Sequence, residues 1–495
     1  VKPTAGGDER LIEPFYFVAP IEGVQRDMLI GRNEMEIVET DANSMIKTSI
    51  LYYSVPNEDF PGLVRTTTIT NTADYEVDLS ILDGLAKLVP YGISYGELNA
   101  MGRTMEAWMN VYNVEVGNTD LPYFHVSQKT GDVAQVTAVN EGHFVVAYLK
   151  EGDSTNLERL PFVLDPLKVF GSDSTMEIPY GFLGADSGRQ LAEADQCFVG
   201  RTPTSFAAVD ATVAPGESIT IYSLYGHSRD VEELKTVILP VIEAEDFFET
   251  KRQEARELAD TLTSKVESST SSELFDKYVN MDYLDNLLRG GLPTVLGNDD
   301  SDNDGKAKKI FHTFSRIHGD MERDYNNFLI DMTYYSQGPG NFRDVNQNRR
   351  LDVSFDPRVG DFNVRTFLSL MQLDGYNPLT VPTAMFKIPT QDGINRVVSK
   401  VAYYAGAVNE SAPAKLESIL AAPFRPGQLF ADMKTHNIVL PPSMSKAEFL
   451  NDVVDEANQH TVAMYAQNGF WADHWTYDQD LLDDFLRIFP DKERW

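Results

Sequence analysis

The apolar residues of this chain change their spacing near residue 231, and that change rules out an architecture built from one kind of layer. From about Met28 to Gly226 the chain reads as short β-rich runs separated by turn signals, at 46–55, 63–71, 77–82 and 142–149, with a further pair across 205–225. A period of two turns one face of each run inward, which predicts antiparallel strands, and many strands with no helical run between them predict a β-sandwich. The 205–225 pair carries Ala214-Pro215-Gly216-Glu217 at its tip and is expected to be a hairpin, proline setting one backbone angle and glycine permitting the other. Residues 64–85 are expected to form another hairpin around Asn71 to Asp74, where the Asn71 side chain can bond its own backbone. The stretch 90–108, PYGISYGELNAMGRTMEAW, reads as a surface loop.

Beyond Val231 the period becomes about 3.6. Ala255, Leu258, Ala259, Leu262 and Val266 make one apolar stripe, which predicts a long connecting helix; the polar run 268–272 ends it, and a second helix over 273–288 stops at Gly290-Gly291. Helix-like runs then recur at 361–373, at 446–463 behind the capping box Ser445…Glu448, and at 481–489, with few strand-like runs between them. Helix pairs joined by long loops suit a toroid whose inner helices surround a pocket and whose loops carry ligand groups. The expected fold class is therefore multidomain β + α: a β-sandwich domain over 1–230, a helical linker over 231–290, and a helical toroid from 291 that is incomplete at 495. The chain starts at Val1 and stops at Trp495 just past a helix-like run, so it reads as a piece cut at both ends.

Charge narrows the partners. With 75 acidic against 42 basic residues the net charge is −33, a field that repels nucleic acid and anionic membranes and leaves neutral ligands unaffected. No nucleic-acid or membrane partner is expected, and an anionic substrate would need local positive groups. No apolar run is long enough to span a bilayer and no leader pattern is found. The single cysteine, Cys197, excludes an intrachain disulfide framework and points to a reducing, cytoplasmic setting, with the thiol read as a small buried apolar group.

Two stretches are dense in groups that can grip a sugar. Residues 334–352, YYSQGPGNFRDVNQNRRLD, contain a Gly338-Pro339-Gly340 turn that is expected to lift the backbone out of regular structure and present Asn341, Arg343, Asp344, Asn346, Gln347 and Asn348. A carboxylate accepts from two vicinal hydroxyls, a guanidinium donates from a planar fork and amides do either, so Arg343, Asp344 and Asn348 suit a pyranose ring. The neighbouring Arg349 and Arg350 could draw phosphate in, but a solvated pair is the favoured reading. Residues 468–480, NGFWADHWTYDQD, place Asn468-Gly469 at one helix end and Thr476 with Gln479 as a cap for the next, so Trp471, Asp473, His474 and Trp475 are expected just ahead of a helix amino terminus. Indole faces stack on sugar rings, while Asp473 and His474 offer directed polar contacts. No metal is expected: the eight histidines are scattered with no paired spacing, and the calcium-like run NDDSDNDG at 298–305 has Phe311 where a bidentate glutamate is required, so it reads as an acidic surface loop.

Four stretches, RDYNNFLID (323–331), GNFRDVNQN (340–348), LDGYNPL (373–379) and GFWADHWTY (469–477), together resemble the inverting β-glucan phosphorylases, the cellobiose and cellodextrin phosphorylase group, and within it the β-1,3-oligoglucan branch. The likeness spans nearly the whole chain. It implies an amino-terminal supersandwich coupled to an (α/α)6 barrel of which this chain holds the first part. It also implies that the segment Asn341 to Asp344 lines the subsite for the non-reducing-end glucose. The implied reaction is phosphorolysis of β-gluco-oligosaccharides to α-glucose 1-phosphate: one carboxylic acid protonates the glycosidic oxygen while phosphate attacks the anomeric carbon from the opposite face. No cofactor is implied, inorganic phosphate being a co-substrate, and a homodimer is compatible with the group.

Two departures qualify the likeness. Asn348 stands where the cellobiose type has a second carboxylate, and Asn341 stands where it has glycine. The group's catalytic acid and phosphate ligands lie in later segments, so within this chain Asp473 is the candidate acid and the fragment alone is expected to be inactive. The alternatives are an inverting glucoside hydrolase of the same architecture, or a non-catalytic glucan-binding fragment.

Overall fold

The computed structural model describes residues 1–3, 11–16, 20–129, 134–152, 156–298, 309–313, 334–337, 340–465 and 471–493. The 323–331 stretch, Gly338 and Pro339, the 468–470 turn and most of the acidic run after Asn298 lie outside these residues. The chain divides into two compact units, Val1–Thr261 and Leu262–Trp495, so the segment expected to be a linker is divided between them.

The first unit is built on two antiparallel sheets. In the larger, the spatial order is Val24–Ile30, Glu34–Asp41, Ile46–Ser54, Gly62–Asn71, Ser218–Ser228, Gly142–Glu151, Tyr123–Val126 and Met109–Tyr112, with Glu158–Arg159 alongside Gly142–Glu151. The smaller runs Lys2–Pro3, Val77–Leu85, Ser205–Val213 and Phe162–Val163. Period-two alternation decides what each face meets. Val145, Ala147 and Leu149 pack with Ile69 and Ile221 against Leu79, Ile81, Ala207 and Val209 of the smaller sheet. The residues between them, Phe144, Val146 and Tyr148, pack instead with Leu234, Ile238, Ile242 and Phe248 from the helical segment after residue 230. Val163 and Ala208 turn outward in the smaller sheet and are covered by Val169, Phe170 and Phe182 of short helices.

Neither expected hairpin forms. Gly62–Asn71 and Val77–Leu85 belong to different sheets, as do Ser205–Val213 and Ser218–Ser228, so each turn carries the chain across the core as an arch. The strands pair between arches: Val77–Leu85 with Ser205–Val213, and Gly62–Asn71 with Ser218–Ser228. Turn chemistry specifies a reversal but not whether the two arms share a sheet. The local expectations hold within that correction. Gly216 has φ +76° and Glu217 N–H donates to the Ala214 carbonyl at 3.1 Å, while Asn71 Oδ1 accepts from its own turn, at Ala73 N–H, 2.9 Å away. Asn71 is fully buried and also clasps the arches together: its Nδ2 donates to Tyr75 O at 2.7 Å and Val213 O at 2.9 Å, its N–H donates to Glu217 O and its carbonyl accepts from Gly216 N–H.

Other departures are local. The 90–108 loop contains a helix, Tyr95–Met101, started by a Ser94/Glu97 capping box, then a 3₁₀ turn at Gly102–Trp108. In the helix Phe247–Thr263, Ala255 and Ala259 are buried but Leu258 is 44% exposed, so the apolar stripe is narrower than expected. Cys197 is half-buried rather than buried, and its Sγ donates to Val199 O at 3.3 Å.

The second unit opens with the helix Glu273–Gly290, which Ser272 caps by accepting from Phe275 N–H and which Gly291 ends at φ +99°. It contains more strand than the helical reading allowed. Leu292–Leu296 pairs with Lys309–Thr313, and Gly340–Asn341, Thr380–Lys387 and Asn458–Met464 form a three-stranded antiparallel sheet. The helix expected over 446–463 begins at its capping box but stops at Glu456; after it Asn458–Met464 alternates exposed and half-buried positions, with β-branched Thr461 and Val462 at its centre. Two apolar cores result. In the larger, Val397, Leu416, Leu429 and Phe449 gather four helices against Phe386 of the sheet. In the smaller, Phe342, Val345, Phe367, Leu481 and Phe485 join the helices Phe342–Arg349, Phe362–Ser369 and His474–Ile488.

Candidate functional site

The smaller core brings together three of the four sequence stretches on which the sugar reading stands. Phe342 N–H donates to the Leu379 carbonyl at 2.9 Å, the Phe342 ring stacks on His474 with centroids 4.9 Å apart, and His474 Nδ1 lies 3.0 Å from Asn377 Oδ1. Local geometry differs from expectation in both dense stretches. Residues 342–349 are helical rather than irregular, with Asn341 as a cap residue that makes no side-chain capping bond. The 474–488 helix starts one turn earlier than Thr476 and Gln479 implied, so His474 and Trp475 lie in its first turn while Trp471 and Asp473 precede it. That turn is tightened by His474 N–H to Trp471 O and Thr476 N–H to Asp473 O, at 3.2 and 3.0 Å.

The predicted ligands separate into engaged and presented groups. Asp344 is buried and accepts from Asn341 Nδ2 at 3.2 Å and from Arg343 Nε at 3.4 Å. Asn348 Nδ2 donates to the Asp344 carbonyl one helical turn back, at 2.8 Å, which is a structural use of that amide. Arg343 keeps about a third of its side chain exposed. Trp471 and Trp475 are 61% and 43% exposed, Asp473 is exposed, and His474 is buried. Burial and the nearby Arg343 guanidinium lower the His474 pKa, with Asp473 and Asp344 acting in the opposite direction, so the imidazole is a neutral group at physiological pH.

The residue that sequence reasoning passed over is Asp478. It is 3% exposed, its Oδ1 accepts from Asn346 Nδ2 at 2.6 Å, and its Oδ2 has no hydrogen-bond partner. Burial raises its pKa to about 6, against the opposing pull of the Asn346 amide. It lines a cleft of about 300 Å³ with Leu368, Trp475, Thr476, Gln479 and Leu482. Asn346 Oδ1 and Asn377 Nδ2 are likewise buried without a partner. Three unspent polar atoms around one helix pair are what a water or a ligand hydroxyl would satisfy. The available signal was helical spacing: Trp475, Gln479 and Leu482 share a face at i, i+4 and i+7, and Asp478 sits beside them.

A second buried network lies in the same unit. His312 Nε2 is 2.7 Å from Asp352 Oδ2, which also accepts from Asn363 Nδ2 at 2.8 Å. Arg349, expected to be solvated, is 4% exposed, and burial lowers its pKa to about 10. Burial first and Arg349 second push His312 down to about 4. Arg350 is the solvated member of the pair, reaching Asp480 at 3.5 Å. Among the described residues no group of three or more His, Cys, Asp or Glu is placed to hold a metal, and no helix is long and apolar enough to cross a membrane.

No family model and no curated protein matches the chain. Among solved structures it is similar to a bacterial glucoamylase complexed with acarbose, at 8% identity and a TM-score of 0.30, covering 94% of this chain and 58% of that one. A human-microbiome protein assigned as a kojibiose phosphorylase gives 8% identity and a TM-score of 0.20 over 54% of this chain and 25% of the other. A family GH92 α-mannosidase from Bacteroides thetaiotaomicron gives 9% and 0.21 over 84% and 44%. The chain thus spans between a quarter and just under three-fifths of the length of these carbohydrate-active enzymes.

Proposed function

We propose that the second unit binds the terminal glucosyl residue of a β-gluco-oligosaccharide, with β-1,3 linkage as the first substrate to test. In this reading the chain is part of a glycoside phosphorylase that releases α-glucose 1-phosphate with inversion, and its two units are the supersandwich and the opening helices of an (α/α)6 barrel. The observation that carries the reading is Asp478: a buried carboxyl with a raised pKa and an unpartnered oxygen, on a cleft walled by an indole. Such a carboxyl still holds its proton near pH 6 and can give it to a glycosidic oxygen, which is the one acid that phosphorolysis requires. Asp473, the candidate acid from sequence, is exposed, which suits contact with a sugar hydroxyl better than proton donation. Arg343 and Asp344 would hold the ring hydroxyls, Trp475 and Trp471 its faces, and His474 would position the Phe342–Arg349 helix.

The test is incubation of the complete enzyme with laminaridextrin and inorganic phosphate, read as sugar phosphate. Free glucose released equally well without phosphate would sink phosphorolysis in favour of hydrolysis. Binding of laminaridextrin by the chain, measured by calorimetry and weakened about tenfold by Trp475→Ala, tests the subsite apart from turnover. Unchanged affinity in that variant would remove the subsite.

A further inference from the structure

The first unit has a cleft of its own, of about 420 Å³, within the size range of small-ligand sites of about 300–1,000 Å³. Lys87, the 3₁₀ turn with Arg103 and Glu106, the turn Gly171 to Met176 and the segment Gly200 to Thr202 form its walls, with Leu167 and Phe170 among its apolar lining. Its charges divide by whether the protein already uses them. Asp173 accepts from Thr175 N–H, Thr175 Oγ1 and Ile178 N–H at 2.9, 2.6 and 3.1 Å; these bonds, the Thr175 hydroxyl first, hold its carboxyl below the usual range. Glu106 accepts from Thr202 Oγ1 at 3.0 Å. Behind the wall, Asp165 takes Arg201 Nη1 at 2.8 Å, Leu167 N–H at 3.0 Å and Cys197 N–H at 3.1 Å, which fixes Arg201 at the cleft.

The cations are less spent. Lys87 is exposed and makes no hydrogen bond or ion pair among the described residues. Among the described residues Arg103, 87% exposed, reaches only Glu106, at a weak 3.5 Å. Its walls set Lys87, Arg103 and Arg201 against Glu106 and Asp173, with Asp165 just behind, so in a chain with a net charge of −33 the cleft is close to neutral and its least engaged charges are cationic. Ser172, Ser174 and Thr202 add hydroxyls, and Phe170 with Leu167 offers an apolar surface for the C–H face of a ring.

We infer that this cleft binds a saccharide that bears carboxylates, with Lys87, Arg103 and Arg201 meeting the acid groups and Phe170 and Leu167 meeting the ring. The site is separate from the proposed glucosyl subsite and does not depend on it. Calorimetric titration of the whole chain with trigalacturonate, with maltotriose and with sodium phosphate at matched ionic strength tests it. Trigalacturonate is expected to bind saturably, and its affinity is expected to fall as salt rises. The double variant Lys87→Glu, Arg103→Glu, on exposed positions that leave the melting temperature unchanged, is expected to weaken it about tenfold or more. Maltotriose binding as tightly as trigalacturonate would overturn the carboxylate requirement, and phosphate binding as tightly would overturn the saccharide. Absence of trigalacturonate binding, or equal affinity in the variant, would overturn the site.

Discussion

The side-chain amide of Asn346 donates to the carboxyl of Asp478 across 2.6 Å, and both residues are sealed from solvent. This bond joins the two sequence stretches richest in sugar-binding groups, one on the helix Phe342–Arg349 and the other on His474–Ile488. Asn346→Leu should therefore remove the one partner of a buried carboxyl and destabilise the second unit by about 1–3 kcal/mol. Urea unfolding checks this, and a midpoint unchanged from wild type would show the bond to be dispensable.

Proton linkage at Asp478 has a definite sign. Its folded pKa of about 6 lies above the ordinary aspartate value of 3.8, so the folded protein holds more protons between those values, and stability falls as pH rises through that window. Asp478→Asn cannot ionise. Wild type should lose stability relative to this variant between about pH 4 and pH 6, and melting temperatures of the two measured in parallel should diverge across it. Parallel curves would place the group at its ordinary pKa.

His312 behaves in the opposite sense. Its pKa is pushed down to about 4 from 6.5, so the unfolded chain binds the proton first as pH falls, and stability is lost from about pH 6.5 downward. His312→Gln should flatten that part of the profile. A variant whose acid slope equals that of wild type between pH 6.5 and 4 would contradict the burial assigned to this imidazole.

In the complete enzyme Arg343→Ala should weaken oligoglucan turnover far more than Arg350→Ala, because Arg343 lies beside Asp344 and His474 while Arg350 reaches outward to Asp480. Steady-state rates with laminaridextrin and phosphate give the comparison. Equal rates in both variants would show that the glucosyl subsite lies elsewhere.

Asn71→Ala should destabilise the first unit by about 3 kcal/mol, since it leaves the buried Val213 carbonyl and Ala73 N–H, and the partly buried Tyr75 carbonyl, without the side chain that serves them. Thermal unfolding followed through the β-sheet signal is the measurement, and a loss near zero would mean that water replaces the amide at no cost.

Much of the first unit was legible in the sequence because each strand carries its own evidence. The apolar run of Gly142–Glu151 marked the strand though not its two faces, both of which are buried, and the Ser445…Glu448 capping box and Gly291 marked helix ends where they occur. The edge strand Val24–Ile30 and its neighbour Glu34–Asp41 were hard to read for the same reason: they are largely exposed or half-buried, so charge interrupts the pattern.

The sequence by itself determined where the chain turns, which residues face inward along a strand, and that one class of layer gives way to another near residue 231, because these depend on backbone preferences and spacing within a few residues. Only the tertiary structure decided that the arms of each turn part into different sheets, that Arg349 is buried, and that Asp478 rather than Asp473 is the protected carboxyl. Pairing partners, desolvation and pKa are set by residues more than a hundred positions away, as Asn346 and Asp478 are, and no local pattern records them.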